Sequence, residues 1–341
     1  MIVNLLSIDG GGIRGLIPLH ILNILNIPFR LREEFNAFAG TSTGAIIAAG
    51  LSLAGPDPSK NLGFKYDIDD LIYLYEANAK QIFNQKSYGW LMSKYQKFGI
   101  EEVLERYFKG DKLENCKKPL VIPAYDGKNF EPIFFKTRYL NQQGSKYYEA
   151  LSKWKLTEIL RSTAAAPTFF PGFYKDERVL VDGGLFCNNP SLVLLNDVLS
   201  HPKFYQIDQN TSDLHINLLS LGTGQGRQNN CALKWGEGKI QYVKPVIDMA
   251  MRGNSQSVHI VLEQMVNAEK RQGAGFNFQF NYLRLSPDIT NLKFSDMDII
   301  GNDAFDYYLN LVNTYTTKPD IQAQIEKFGK AVTSNPSFVF A

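Results

Sequence analysis

The stretch Phe38-Ala39-Gly40-Thr41-Ser42-Thr43-Gly44-Ala45-Ile46-Ile47 decides how this chain is read. Apolar residues lead into Gly40-Thr41-Ser42-Thr43-Gly44, and an apolar, helix-like run leaves it. This is the G-x-S-x-G spacing of a nucleophile elbow, a serine on a sharp turn from strand to helix. Glycines two positions either side let the chain pass closely. The Ser42 hydroxyl would then project above the sheet, beside the unpaired amides that open the next helix, and such amides can hold a developing oxyanion. The five residues alone fit a plain small-residue turn equally well. The apolar strand before them and the helix after them favour the elbow.

Upstream, Ile2 to Ile8 reads as a buried strand that ends in Asp9-Gly10-Gly11-Gly12-Ile13-Arg14-Gly15. An apolar helix follows, Leu16 to Ile27, with Pro18 tolerable in its first turn. Glycine loops of this kind can aim several backbone N–H groups at one anion. Three readings compete. Gly10 to Gly15 matches the dinucleotide fingerprint G-x-G-x-x-G, with Glu33 or Glu34 about 20 residues on as a ribose-binding acid. Alternatively, the loop is an oxyanion hole serving Ser42, with Arg14 as a fixed positive charge nearby. The third reading is a structural tight turn. Asp9 would set a negative charge near a pyrophosphate, and Phe29 to Glu34 is no clean second strand. With an elbow following closely, the oxyanion reading is preferred.

Downstream, helices are expected over Ala45–Leu53, Ile68–Phe83, Ile100–Tyr107 and Leu156–Ala165, the last ended by Pro167. Pro119–Tyr125 and Pro132–Arg138 read as strands joined at Asp126-Gly127-Lys128. Arg178 to Val181 is a strand carrying Asp182 at its end, where ligand chemistry concentrates in open α/β sheets. Asn188-Asn189-Pro190 starts a helix to Leu199, and Ile216–Leu221 is a further strand. Helical patterns recur at Val243–Met251, Ser257–Glu269 and Ala304–Tyr315, with a late strand at Tyr282–Leu285. Strands and helices alternate without repeats or linkers, so one α/β domain over 1–341 is expected.

The 341 residues are 44% hydrophobic and 21% charged, the balance of an ordinary globular chain with a sizeable core. A net charge of +2 gives no general case for nucleic acid, and none is expected as a partner. Cys116, Cys187 and Cys231 are widely spaced, so neither a disulfide framework nor a zinc site is legible. No signal peptide and no apolar run of about 18 residues is present, so a cytoplasmic or peripheral-membrane location is expected, with export by another route left open. The segment 80–155 stands apart, with 15 Lys and Arg against 8 Asp and Glu and many aromatics. It is either a solvated face over core aromatics or a docking surface for anionic lipid headgroups. Lys86-Ser87-Tyr88-Gly89-Trp90-Leu91-Met92 is the part best suited to a bilayer interface.

A serine nucleophile needs a base. The four histidines are His20, His201, His215 and His259. An order of serine, acid, histidine is formally available, but none of the four sits in a convincing catalytic loop. Asp182 is a single carboxylate at a strand end, and Gly183 and Gly184 allow close approach. It is either an ordinary Asp-Gly-Gly turn or the direct partner of Ser42, its proton affinity raised in a partly desolvated cleft.

In order along the chain, Asp9-Gly10-Gly11-Gly12-Ile13-Arg14-Gly15, Gly40-Thr41-Ser42-Thr43-Gly44 and Val181-Asp182-Gly183-Gly184 resemble the three motifs of the patatin-like phospholipase family. Ala164-Ala165-Ala166-Pro167-Thr168-Phe169-Phe170-Pro171, Asn188-Asn189-Pro190 and Leu219-Ser220-Leu221-Gly222-Thr223-Gly224 look like its secondary markers. Ala45 departs slightly from relatives that carry another glycine there. The resemblance implies a three-layer α/β/α sandwich around a mostly parallel sheet. It also implies a Ser42–Asp182 dyad and an oxyanion hole from Gly10, Gly11 and Gly12 with Arg14 nearby. Hydrolysis of acyl esters of phospholipids or related lipids, of the phospholipase A or lysophospholipase type, would need no metal or cofactor. A protein or nucleotide activator is compatible with the resemblance, and a catalytically silent lipid-binding protein of the same fold is the alternative.

Overall fold

The computed structural model describes residues 1–57, 59, 61–83, 93–144, 151–208, 213–226, 243–270 and 278–333. The first strand, β1 (Ile2–Ile8), runs into the glycine loop and a 3-10 turn at Gly12–Gly15, then into α1 (Leu16–Phe29). A short helix, α2 (Leu31–Glu34), turns the chain into β2 (Phe35–Gly40), and the elbow passes it to α3 (Thr43–Ser52). Next come α4 (Ile68–Phe83), α5 (Lys97–Phe108), β3 (Leu120–Asp126), β4 (Glu131–Lys136), α6 (Leu156–Thr163), β5 (Phe173–Lys175) and β6 (Arg178–Asp182). They are followed by α7 (Gly184–Cys187), α8 (Ser191–Ser200), β7 (His215–Leu221), β8 (Gln225–Gly226), α9 (Val243–Lys270), β9 (Gln279–Leu285) and β10 (Asp288–Ile289). Two further helices, α10 (Asn302–Thr316) and α11 (Pro319–Val332), end the described chain.

Eight strands share one sheet in the order β5-β6-β3-β2-β1-β7-β9, with β4 also paired to β3. The run β3-β2-β1-β7-β9 is parallel throughout, whereas β4, β5 and β6 pair antiparallel to their neighbours. Strand alternation divides the core into two faces. Leu6 and Ile8 of β1 pack with α1, α3, α4 and α5 residues, while Val3 and Leu5 pack with Leu194, Leu195 and Val198 of α8 and Val258 and Leu262 of α9. Helices thus cover both faces of a mostly parallel sheet, as expected for the three-layer sandwich.

One detail of the sheet positions the site. Along one edge β3 is paired with β4 over its whole length after Leu120. Its other edge is shared: β2 takes Leu120 and Val121, and β6 takes Ala124 to Asp126. The antiparallel β6 therefore ends, at Asp182, just beyond where the parallel β2 ends at Gly40. Two carboxyl-terminal strand ends, about 140 residues apart in the chain, meet above the same edge.

Two expectations need correction. The patterns at Val243–Met251 and Ser257–Glu269 belong to one helix of 28 residues. Gly253, Asn254 and Ser255 form helix poorly, yet here Asn254 and Ser255 hydrogen-bond to other elements: Asn254 accepts from the Asn189 amide (3.1 Å) and donates to the Phe186 carbonyl (2.6 Å). The helix at Ala304–Tyr315 is not the terminal one, since α11 follows it with Pro319 in its first turn.

Candidate active site

Ser42 sits between β2 and α3 with φ 54° and ψ −120°, a region an L residue occupies only at a cost of about 1–3 kcal/mol. The neighbouring glycines make this turn possible. A Cβ on Gly40 would lie 2.2 Å from the Gly44 carbonyl oxygen, and one on Gly44 would lie 2.2 Å from that of Ile8. Hydrogen bonds brace the strained turn. The Ser42 amide donates to Thr163 Oγ1 (3.0 Å), whose hydroxyl donates to the Pro123 carbonyl (2.6 Å). Thr41 Oγ1 donates to the Cys187 carbonyl (2.7 Å), and the hydroxyls of Thr43 and Tyr75 are hydrogen-bonded.

Asp182 is buried at the end of β6. Its Oδ1 accepts from the Gly184 amide (2.7 Å), whereas its Oδ2 is buried with no hydrogen-bond partner among the described residues. Burial pushes its pKa up to about 6, against the opposing pull of the Ser42 side chain and the Gly184 amide. The serine hydroxyl is thus close enough to be felt by the carboxylate, without forming a hydrogen bond of good geometry in this state. A Cβ on Gly183 would come within 2.4 Å of the Pro123 carbonyl oxygen, so the glycine lets β6 close onto β3.

Ser42 and Asp182 open into one apolar pocket of about 730 Å3, including its mouth. Its walls come from α4, α5 and the Ala164–Phe170 turn, with Phe83, Leu104 and Phe170 among them. Gly11 and Gly12 line it as well, and no described residue accepts a hydrogen bond from their amides. Gly12 has φ +60°, and a Cβ there would strike the Met297 carbonyl at 2.2 Å.

Two of the four residues expected at the oxyanion hole are engaged elsewhere. The Gly10 amide donates to the Asn188 carbonyl (3.2 Å). The Arg14 guanidinium is aimed at carbonyls, those of Ser295 (2.9 Å) and, loosely, Gly11 (3.5 Å). Gly10 and Arg14 line a separate, polar cavity on the other side of the loop. Asp9 explains the loop's pose. Its carboxylate is buried and gripped by Arg284 (2.6 and 3.2 Å), and it accepts from Ser255 Oγ (3.0 Å). The sequence carried no signal for Arg284 or Ser255, which lie about 250–275 residues from their partner.

No histidine lines the pocket. His20 is buried in α1, where burial lowers its pKa to about 4. His201 contacts Asp197, His215 pairs with Asp213 (2.7 Å), and His259 of α9 meets Tyr282 of β9. Glu33 and Glu34 pair with Arg30 of the preceding turn. In the basic segment, residues 84–92 lie outside the described residues, so Lys86 to Met92 do too. Residues 145–150 of the segment lie outside them as well; among the rest some side chains turn inward, Lys136 and Arg138 to the buried Asp197 and Tyr95 and Phe108 into the core, whereas Lys97, Phe98 and Lys109 are exposed. Among the described residues, no helix is long and apolar enough to cross a membrane.

A family model described as patatin-like phospholipase matches residues 6–195. That span is more than half of the chain and contains the glycine loop, the elbow and Asp182. The chain belongs to the patatin-like phospholipase family, whose activity is lipid acyl hydrolysis. Among curated proteins it is 29% identical to patatin-like protein 2 of Oryza sativa over 333 residues, covering 84% of this chain and 76% of that one. It is 28% identical over 276 residues to a cGAMP-activated phospholipase of Pseudomonas aeruginosa, covering 76% and 74%. A probable inactive patatin of Solanum tuberosum is 28% identical over 311 residues, covering 83% and 78%. Among solved structures it resembles VipD from Legionella pneumophila, at 11% identity and a TM-score of 0.42, over 92% of this chain and 67% of that one.

Proposed function

We propose that this protein is a phospholipase A-type acyl hydrolase working through Ser42 and Asp182 and an acyl-enzyme. The observation that carries the reading is the Asp182 Oδ2 atom. It is buried, has no hydrogen bond of good geometry among the described residues, belongs to a carboxyl raised in pKa, and shares an apolar pocket with a serine on a strained elbow. A carboxylate with this affinity for a proton can take one from a hydroxyl as the hydroxyl attacks.

Ser42 Oγ attacks the ester carbonyl carbon as its proton passes to Asp182. The carbonyl π electrons move onto oxygen, and the Gly11 and Gly12 amides hold that oxyanion, an arrangement worth about 10²–10³ in rate per main donor elsewhere. When the tetrahedral species collapses, the C–O bond to the glyceryl oxygen breaks, and Asp182 returns its proton to that oxygen. Water then repeats the sequence on the acyl-enzyme, with Asp182 as base, releasing the fatty acid and restoring Ser42. The acyl chain lies in the apolar pocket throughout.

The relative activated by cGAMP supports testing a cyclic dinucleotide as an activator here as well. Peripheral contact with the membrane would deliver the lipid. The direct test is fatty-acid release from mixed phospholipid vesicles, with and without cyclic dinucleotide, using the wild type, Ser42→Ala and Asp182→Asn. Release by the wild type alone is expected. Equal release by Asp182→Asn would remove the dyad. A wild type that is silent under all conditions and unlabelled by a fluorophosphonate would favour the lipid-binding alternative.

A further inference from the structure

The polar cavity behind the glycine loop opens to solvent, and the space within and around its mouth amounts to about 600 Å3. Met251 and Met297 line both this cavity and the apolar pocket, so these methionines and the loop form the partition between them. Lys244, Asp248 and Arg252 are spaced four apart on α9, hence share one helix face, and all three line the cavity with Arg14, Arg284 and Asp296. Two cations there already have acids: Lys244 pairs with Asp296 (2.8 Å) and Arg284 with Asp9.

Among the described residues three charged groups make no ion pair, although Lys244, Arg252 and Arg14 all act on Asp248 through space. Arg14 binds only carbonyls, and Arg252 binds the Gly226 carbonyl (2.7 Å). Asp248 has no hydrogen bond or ion pair among the described residues. They are graded in depth. Arg14 is buried, Arg252 and Asp248 are half-buried, and the Lys244–Asp296 pair sits at 44% and 40% exposure by the mouth. Charge held away from water without a partner in contact is costly, and a ligand that supplies the contact recovers part of that cost. Two guanidiniums without carboxylates suit a phosphate, and a free carboxylate beyond them suits an ammonium.

We propose that this cavity is the headgroup subsite and that it selects zwitterionic phospholipids, with the phosphate on Arg252 and Arg14 and the ammonium on Asp248. The proposal rests on the acyl-hydrolase reading for its orientation. With the ester at the Gly11 and Gly12 amides, the acyl chain enters the apolar pocket and the glycerophosphate turns across the methionine partition. Burial holds the Asp248 pKa above the usual carboxylate range, a state that a bound ammonium would relieve. Val243, Val246 and Met249, exposed on the same stretch of α9, add apolar surface on the helix that carries the cavity's charges.

The test is calorimetric binding of short-chain diether lipids, which cannot be cleaved, to the full chain. The headgroups are phosphoethanolamine, phosphoglycerol and galactose. The wild type should prefer the ethanolamine lipid to the glycerol lipid by about tenfold, the scale of one charge-assisted contact. Asp248→Asn should erase that preference while the glycerol lipid still binds, and Asp248→Glu should keep it. Arg252→Gln should weaken both phospholipids by about tenfold and leave the galactolipid unchanged. Equal binding of the two phospholipids by the wild type overturns the proposal. So does an Arg252→Gln defect as large for the galactolipid, or the absence of any binding. Because ether lipids report binding without turnover, the expected pattern together with uncleaved ester lipids would sink the hydrolase reading and leave the subsite standing.

Discussion

The two sides of the Gly10–Gly12 loop differ as sharply as two solvents. On one side the walls include Phe83, Leu104 and Phe170, and the polar groups include Ser42, Asp182 and the amides of Gly11 and Gly12. On the other side Arg14, Arg252 and Arg284 face Asp9 and Asp248. A backbone loop is polar on both edges, its N–H groups on one and its carbonyls on the other. Here Thr223 and Arg14 bind the carbonyls of Gly10 and Gly11 from the polar side. That leaves the Gly11 and Gly12 amides for the apolar side. The lesson is that a buried ion pair, Arg284 on Asp9, can fix which way a neighbouring loop turns its donors.

The largest expected effect breaks the apolar side at its centre. Ser42→Ala should cut fatty-acid release by more than about 10³-fold without loss of fold, checked by a steady-state assay and circular dichroism. Asp182→Asn should come close to it, by at least about 10²-fold. In the wild type, kcat/KM should rise with pH through about 6 as Asp182 loses its proton. The same substitution should stabilise the fold. Asp182 has a folded-state pKa above its unfolded value, so the native state binds more protons between about 4 and 6 and is penalised above that window. Two pKa units amount to about 3 kcal/mol, so Asp182→Asn should melt higher at pH 8, with an advantage that shrinks as pH falls through 6. A variant less stable than wild type at pH 8 would mean that Asp182 braces the fold instead.

The polar side breaks next. Arg284→Gln leaves Asp9 buried without its cation and should cost roughly 3–5 kcal/mol, seen in urea unfolding. If the loop keeps its pose regardless, activity in the folded fraction will survive, and the polar cluster is then not what aims the amides. A smaller effect sharpens the apolar side: Leu104→Trp fills the pocket and should reduce turnover of long-chain esters by about tenfold relative to acetyl esters. The smallest is His259→Gln, which should change activity by less than about twofold. A loss matching that of Asp182→Asn would return the base to histidine.

Much was legible in the residues alone because it was local. Gly40, Ser42 and Gly44 prescribe a turn that no bulkier residues would allow. Alternating apolar strands and helices around them specify the α/β class. Asp182 at a strand end stood out as a candidate, and the family resemblance pointed to Ser42 as its partner. The error over Val243–Lys270 had a physical source, since Gly253 to Ser255 lower helix propensity and contacts with Asp9, Phe186, Asn188 and Asn189 offset it. The contacts of Arg14 were not legible for a similar reason. A positive charge near an anion hole is sensible chemistry, but the Ser295 carbonyl, 281 residues away, draws the guanidinium to the other side.

What the sequence by itself determined is the set of backbone shapes: an elbow at Ser42, a glycine loop after β1, and a strand that ends in Asp182. These follow from steric limits on φ and ψ, which act between neighbours in the chain. What only the tertiary structure decided is direction. Which amides are free, which side Arg14 faces and how closely Asp182 approaches Ser42 depend on β3 sharing one edge between β2 and β6, and on Arg284 reaching Asp9. Hydrogen bonds and ion pairs are satisfied by whatever the fold brings within about 3 Å, and chain distance carries no information about that.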